Sequence, residues 1–156
     1  MANKNSDIIG VSIFAIVLTT ATGSTADDWK PDLVCQGVGD WSPQPLGDRE
    51  GHQIAVEQDS CRVTLGPMAG GVLTGTVIWE LDGPGGVLLQ GGGVVRKSGS
   101  VVVYQLTEGK NWDGGSAGKG RVLLATGSAK GQAGATFTFS ARETGSYQWE
   151  AEDKFQ

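Results

Sequence analysis

Residues 71–105, GVLTGTVIWELDGPGGVLLQGGGVVRKSGSVVVYQ, decide the fold. They hold three β-rich runs separated by the tightest turn signals in the chain, Asp82 to Gly86 and Ser98-Gly99, each too short to join anything but antiparallel neighbours. In the first run Leu73, Val77, Trp79 and Leu81 share one parity, while Thr74, Thr76 and Glu80 share the other. Period-2 alternation of this kind marks a strand with one face in a core. The triple glycine Gly91-Gly92-Gly93 would weaken a flat strand and suits a bulge or a sharp coil where a sheet curls towards closure.

The same character continues on both sides of this stretch. Ahead of it, Leu33 to Trp41 reads as a first strand and Ser42 to Gly51 as a loop carrying Asp48, Arg49 and Glu50. His52 to Glu57 and Cys61 to Leu65 then read as a hairpin around a turn at Gln58 to Ser60, with His52, Ile54 and Val56 on the core side. Beyond it, Ser100 to Glu108 is a strand and Glu108 to Gly120 a glycine-dense loop placed to cover something. Arg121 to Ala125 returns to strand. Finally Ala135, Phe137, Phe139 and Ala141, then Tyr147, Trp149 and Ala151, alternate with polar residues along two clear strands. No sustained 3.6-residue pattern follows residue 27. About eight strands in hairpin succession predict an all-β domain. We expect a single eight-stranded antiparallel up-and-down barrel, whose closure removes exposed edges, with a β-sandwich as the alternative.

Composition bounds the function. The chain has 156 residues, enough for one core, and its 26 glycines without a collagen period fit a turn-rich β protein. Seventeen acidic against twelve basic side chains leave a net charge of −5 and no basic stripe, which argues against nucleic acid or an anionic membrane as partner. Lys4, the apolar run Ile8 to Leu18 and then Ser24-Thr25-Ala26 have the order of a secretory leader, so residues 1–26 are expected to be a signal peptide and residues 27–156 the barrel. A short hydrophobic helix retained at residues 8–20 as an anchor is the alternative. Cys35 and Cys61 make an even count in an exported chain and predict one disulfide, hence a secreted or periplasmic location.

Candidate chemistry is sparse. His52 is the one histidine, so a multi-histidine metal site is excluded and no metal is expected; Glu50 is the carboxylate nearest to it in sequence. His52, Tyr104 and Glu108 are the candidates for proton transfer, with Glu108 sharing the parity of Tyr104. Trp79, Tyr104, Phe137, Tyr147 and Trp149 fall on inward parities and can form either a packed aromatic core or the wall of a pocket. Gly118-Lys119-Gly120 fails the spacing of a phosphate loop, and no cofactor is expected.

Gly39-Asp40-Trp41 resembles the G-x-W signature on the first strand of calycin barrels, the lipocalin and avidin group, in which the tryptophan plugs the closed end. Leu46-Gly47 and Leu73-Thr74-Gly75-Thr76 follow in an order similar to avidin. Ala125-Thr126-Gly127-Ser128, with Gly131 and Gly134, resembles the glycine-rich segment of allene oxide cyclase and dirigent barrels. Both resemblances imply a closed barrel with an apolar cavity. The function expected is binding of a small apolar or aromatic molecule, with Tyr104 and Tyr147 as polar handles. The alternatives are a cofactor-free isomerase or cyclase, and a structural or self-assembling envelope protein anchored by residues 8–20. Assembly into an oligomer is compatible with any of these.

Overall fold

The structure, a computed structural model, describes residues 31–39 and 41–156. The expected leader, residues 1–26, lies outside the described residues. Nine strands follow in order: β1 (Leu33–Gly37), β2 (Gln44–Pro45), β3 (His52–Val63), β4 (Val72–Asp82), β5 (Gly85–Lys97), β6 (Ser100–Trp112), β7 (Gly115–Ala125), β8 (Thr136–Gly145) and β9 (Gln148–Phe155). From β3 to β9 each strand pairs antiparallel with the next. β1 then pairs with both β9 and β3, so eight strands close into an up-and-down barrel, and β2 is a two-residue addition to the start of β3. A sandwich is excluded, because the hydrogen-bonded circuit has no break.

Local sequence accounts for the hairpins. Gly83, Gly99 and Gly114 stand at the tips with φ of 72°, 71° and 84°, a left-handed conformation that other residues adopt only at a steric cost. Along β4 the interior parity is Leu73, Val77 and Trp79, all buried. β1 is stapled to β3 by the disulfide Cys35–Cys61, which joins residues directly opposite in the ladder. One end of the barrel is covered from inside the chain. Met68, from the 64–71 loop, and Ala129, from the 3₁₀ turn Gly127–Gln132, are buried in the main core. Ser128 Oγ donates to the Pro67 carbonyl at 3.2 Å and ties the two covers together.

Four details differ from the sequence reading, each for a physical reason. First, residues 52–63 form one strand rather than a hairpin. Gln58-Asp59-Ser60 continues the ladder opposite Thr76-Gly75-Thr74, and the interior parity is Ala55, Glu57, Asp59, Cys61 and Val63, with Val56 54% exposed on the outside. Burying acids is costly, yet Glu57 and Asp59 lie on the interior face. Secondly, the triple glycine is not the bulge. Pairing shifts between Ile78 and Trp79, leaving Leu89 unpaired, while Gly91 to Gly93 keep regular register. A Cβ on Gly93 or Gly75 would lie 2.7 or 2.8 Å from the Tyr104 hydroxyl, so these glycines make room for that ring.

Thirdly, 108–120 is a hairpin turning at Asp113-Gly114 rather than a loop. The Phe139 and Phe137 rings fill the space that side chains at Gly118 and Gly120 would need, with ring carbons 2.7 Å from either ideal Cβ position. Glycine beneath an aromatic ring on the adjacent strand is stable in a sheet where glycine alone is not. Fourthly, β1 ends at Gly37, so Trp41 sits on the following loop, 38% exposed, and does not plug the barrel.

Candidate functional site

The barrel encloses a cavity of about 850 Å³, within the range that holds a small organic ligand. Its wall is built from the inward parities of the strands. Trp79, Tyr104, Phe137, Tyr147 and Trp149 all line it. Phe137, from β8, stands edge-on to Tyr104, with ring centroids 6.1 Å apart and planes at 71°, and packs on Phe155 at 5.6 Å. Trp79 is 3% exposed and its Nε1–H donates to Glu57 Oε2 at 3.0 Å.

Tyr147 lies in the β8–β9 turn with φ of 56°. Its hydroxyl accepts from the Trp41 backbone N–H at 3.0 Å. Trp41, Trp112 and Tyr147, each partly exposed, place aromatic rings at the end of the cavity opposite Met68.

The three proton-transfer candidates are not brought together. Tyr104 faces the cavity. His52 lies on the parity of Val56, on the outer wall beneath the 46–51 loop, with Nδ1 2.5 Å from Asp48 Oδ1 and Nε2 2.7 Å from Glu80 Oε1. Its carboxylate partners are therefore Asp48 and Glu80 rather than Glu50. The hydrogen bond to Asp48, then that to Glu80, raises the His52 pKa, and the same contact lowers that of Asp48. Arg49 extends the network to Asp82 at 2.8 Å. Glu108 points outward and pairs with Lys119 at 2.6 Å. A register shift between Leu106 and Glu108 inverts the parity of β6, so that Gly109, against Leu88 and Phe139, and Asn111 take the interior positions instead.

The interior is not purely apolar. Glu57, Asp59 and Asp153 line the cavity with Tyr104. Burial, with a contribution from the Glu57 charge, pushes the Asp59 carboxyl up to about 8. Burial, helped by Asp32, pushes Asp153 up to about 7. Burial also raises Glu57, against the opposing hydrogen bond from Trp79. The Tyr104 hydroxyl is raised too, by burial first and then by the charges of Asp59 and Asp153, which places both acids near it. Asp59 Oδ1 is fully buried and has no hydrogen-bond partner among the described residues.

Parity could have found these acids. Asp153 follows Trp149 and Ala151 at steps of two, and Asp59 precedes Cys61 by two. Among the described residues no group of three or more histidine, cysteine, aspartate or glutamate side chains is arranged to hold a metal ion. Comparison of the chain with protein-family models, with characterised proteins and with solved structures finds no match.

Proposed function

We propose that this protein is an exported, calycin-like barrel that binds a small molecule with an apolar or aromatic body inside its cavity. The observation that carries the reading is the cavity itself, of a size suited to such a ligand and walled by aromatic rings from several strands. Tyr104 is the polar handle best placed for it, being cavity-facing, whereas the Tyr147 hydroxyl is already engaged by the Trp41 amide. The Cys35–Cys61 disulfide supports an oxidising, secreted or periplasmic location.

The test uses the neutral dye N-phenyl-1-naphthylamine, whose emission rises in apolar surroundings. Saturable enhancement is expected, weakened about tenfold or more by Ala141→Trp, which places a large side chain in the cavity. It should weaken severalfold in Tyr104→Phe. Absence of enhancement in the folded wild-type protein rejects the binding reading.

The cofactor-free isomerase or cyclase remains as a second reading, favoured by one observation. Asp59 and Asp153 line the cavity with Tyr104, their carboxyls raised to about 8 and about 7, the range in which general acid–base groups operate. In that case proton exchange into an enolisable ketone would be lost in Asp59→Asn and kept in His52→Ala and Glu108→Gln. Loss on either of the latter two changes would reject this assignment.

A further inference from the structure

The cavity's lining is unbalanced in charge. Asp32, Glu57, Asp59, Asp113, Glu143 and Asp153 contribute carboxyl groups, and among the described lining residues the one cationic side chain is Arg142. Arg142 is engaged by Glu150 at 2.9 Å. Among the described residues no cation pairs with the interior acids Glu57, Asp59 and Asp153, and of the three Glu57 alone accepts a side-chain hydrogen bond, from Trp79. Asp59 Oδ1 is buried without any hydrogen bond. Asp153 is partly buried on the cavity wall, and no described residue donates to its carboxyl group; its own backbone N–H is what Asp32 Oδ2 accepts, at 2.8 Å. The Tyr104 hydroxyl, on the wall of the same cavity, makes no hydrogen bond to a described residue.

Buried acceptors without donors are costly, and folded proteins keep few of them. Asp59 Oδ1 is such an acceptor, and the Asp153 carboxyl group and the Tyr104 hydroxyl line the same cavity, so the site calls for a polar complement. That complement must donate hydrogen bonds and carry positive charge. It must also present an apolar body to Trp79, Phe137 and Trp149. A bare metal ion fits poorly, since no cluster of ligating side chains is arranged around one. An ammonium group on an aromatic or aliphatic body satisfies every term, and ring faces add attraction for a cation. The net charge of −5 on the chain favours the approach of such a molecule.

We infer that the ligand of this cavity is a cationic amphiphile, an organic amine whose ammonium group is held by Asp59 and Asp153 beside Tyr104 while its apolar body packs on the aromatic wall. The inference rests on the cavity-binding reading and narrows it to a ligand class.

The experiment compares, by calorimetry on the full folded chain at neutral pH, two molecules of nearly equal shape, 1-naphthylmethylamine and 1-naphthylmethanol. The amine should bind at least about tenfold more tightly, as expected for charge-assisted over neutral hydrogen bonds. Asp59→Asn and Asp153→Asn should each reduce that ratio and leave the affinity for the alcohol within about twofold. Equal affinity of amine and alcohol in the wild-type protein, a comparison that needs no variant, overturns the inference. So does a preference for the amine that survives both substitutions, or amine binding that is indifferent to Ala141→Trp. If N-phenyl-1-naphthylamine binds and neither naphthyl compound does, the amine assignment fails and the cavity reading stands. If the dye fails as well, both fail.

Discussion

Asp153 and Asp59 show what one residue can cost a small barrel. Each carboxyl has a folded pKa above its unfolded value, at about 7 and about 8. The stability that goes with the protonated form is fully present below the unfolded pKa, and it is lost as pH rises through the folded pKa. Between about pH 4 and about pH 8 these two groups therefore make the ligand-free protein less stable as the solution becomes more alkaline. The network on the outer wall adds a loss of the same sign above the unfolded value of His52, because the pairing of His52 with Asp48 and Glu80 weakens as the ring loses its proton. The opposite sign belongs to Asp48, whose lowered pKa gives stability that disappears only as pH falls through its folded value.

Two melting curves separate these contributions. Asp153→Asn should raise stability by about 1–3 kcal/mol near pH 8 in the absence of ligand, by removing an unpaired buried charge. It should also flatten the melting temperature between about pH 4 and about pH 7. A variant that melts lower than wild type near pH 8 would show that the carboxylate is satisfied. Asp59→Asn should behave similarly, so that both substitutions exchange binding for stability.

At the scale of elements, glycine explains most of what was legible and most of what was not. Gly83 and Gly99 announced their hairpins, and the alternation of Leu73, Val77 and Trp79 announced the wall of β4. Eight strands and closure follow from such signals read locally. Gly118 and Gly120 read as loop because a single chain segment does not reveal that Phe139 and Phe137, on the next strand, will lie over them. Glu57 reads as outward and Asp59 as part of a turn for a similar reason: parity gives two faces without saying which is inward, and the ladder to β4 that carries the strand through residues 58–60 is not visible in one segment. Of the site, the aromatic residues and the two aspartates lie at steps of two from other inward positions, whereas Glu57 required the register.

Two changes probe these elements. Gly93→Ala should cost about 1–3 kcal/mol in a chemical denaturation midpoint, because its methyl group would collide with the Thr74 carbonyl oxygen and lie 2.7 Å from the Tyr104 hydroxyl. Adding Tyr104→Phe should recover only part of that loss, since the backbone collision remains. Replacing both Cys35 and Cys61 by serine removes a cross-link between positions 26 residues apart and should cost about 3 kcal/mol. A loss of less than about 1 kcal/mol in the same measurement would mean that β1 is held by its ladders without the covalent staple.

Taken as a whole molecule, the barrel joins two opposed designs. Its outer circuit leaves no strand edge open, and one end is covered by Met68 and Ala129. Its interior, in contrast, holds a cavity lined by Asp59 of β3, Tyr104 of β6 and Asp153 of β9, with Asp59 Oδ1 buried and without a hydrogen-bond donor among the described residues. A protein selected only for stability would fill that space with leucine or phenylalanine. The cavity and its acids are the part of the molecule that folding does not require, whereas His52 is already engaged by Asp48 and Glu80 on the outer wall.

The pairing of β1 with β9 has a further consequence, in time rather than in space. Every other wall pairing except β1–β3 joins strands that are neighbours along the chain, and each can form while the remainder is unstructured. The seam between Leu33 and Ala151 joins the first strand to the last and must wait for both. Contacts between such distant segments are the slow ones in folding, since loop-closure entropy is spent before they form. The circuit therefore cannot be completed before β9 has been synthesised. Until β9 is present, β1 can be held only on its β3 side, and the cavity has an open flank through which a ligand could enter before the last stave closes.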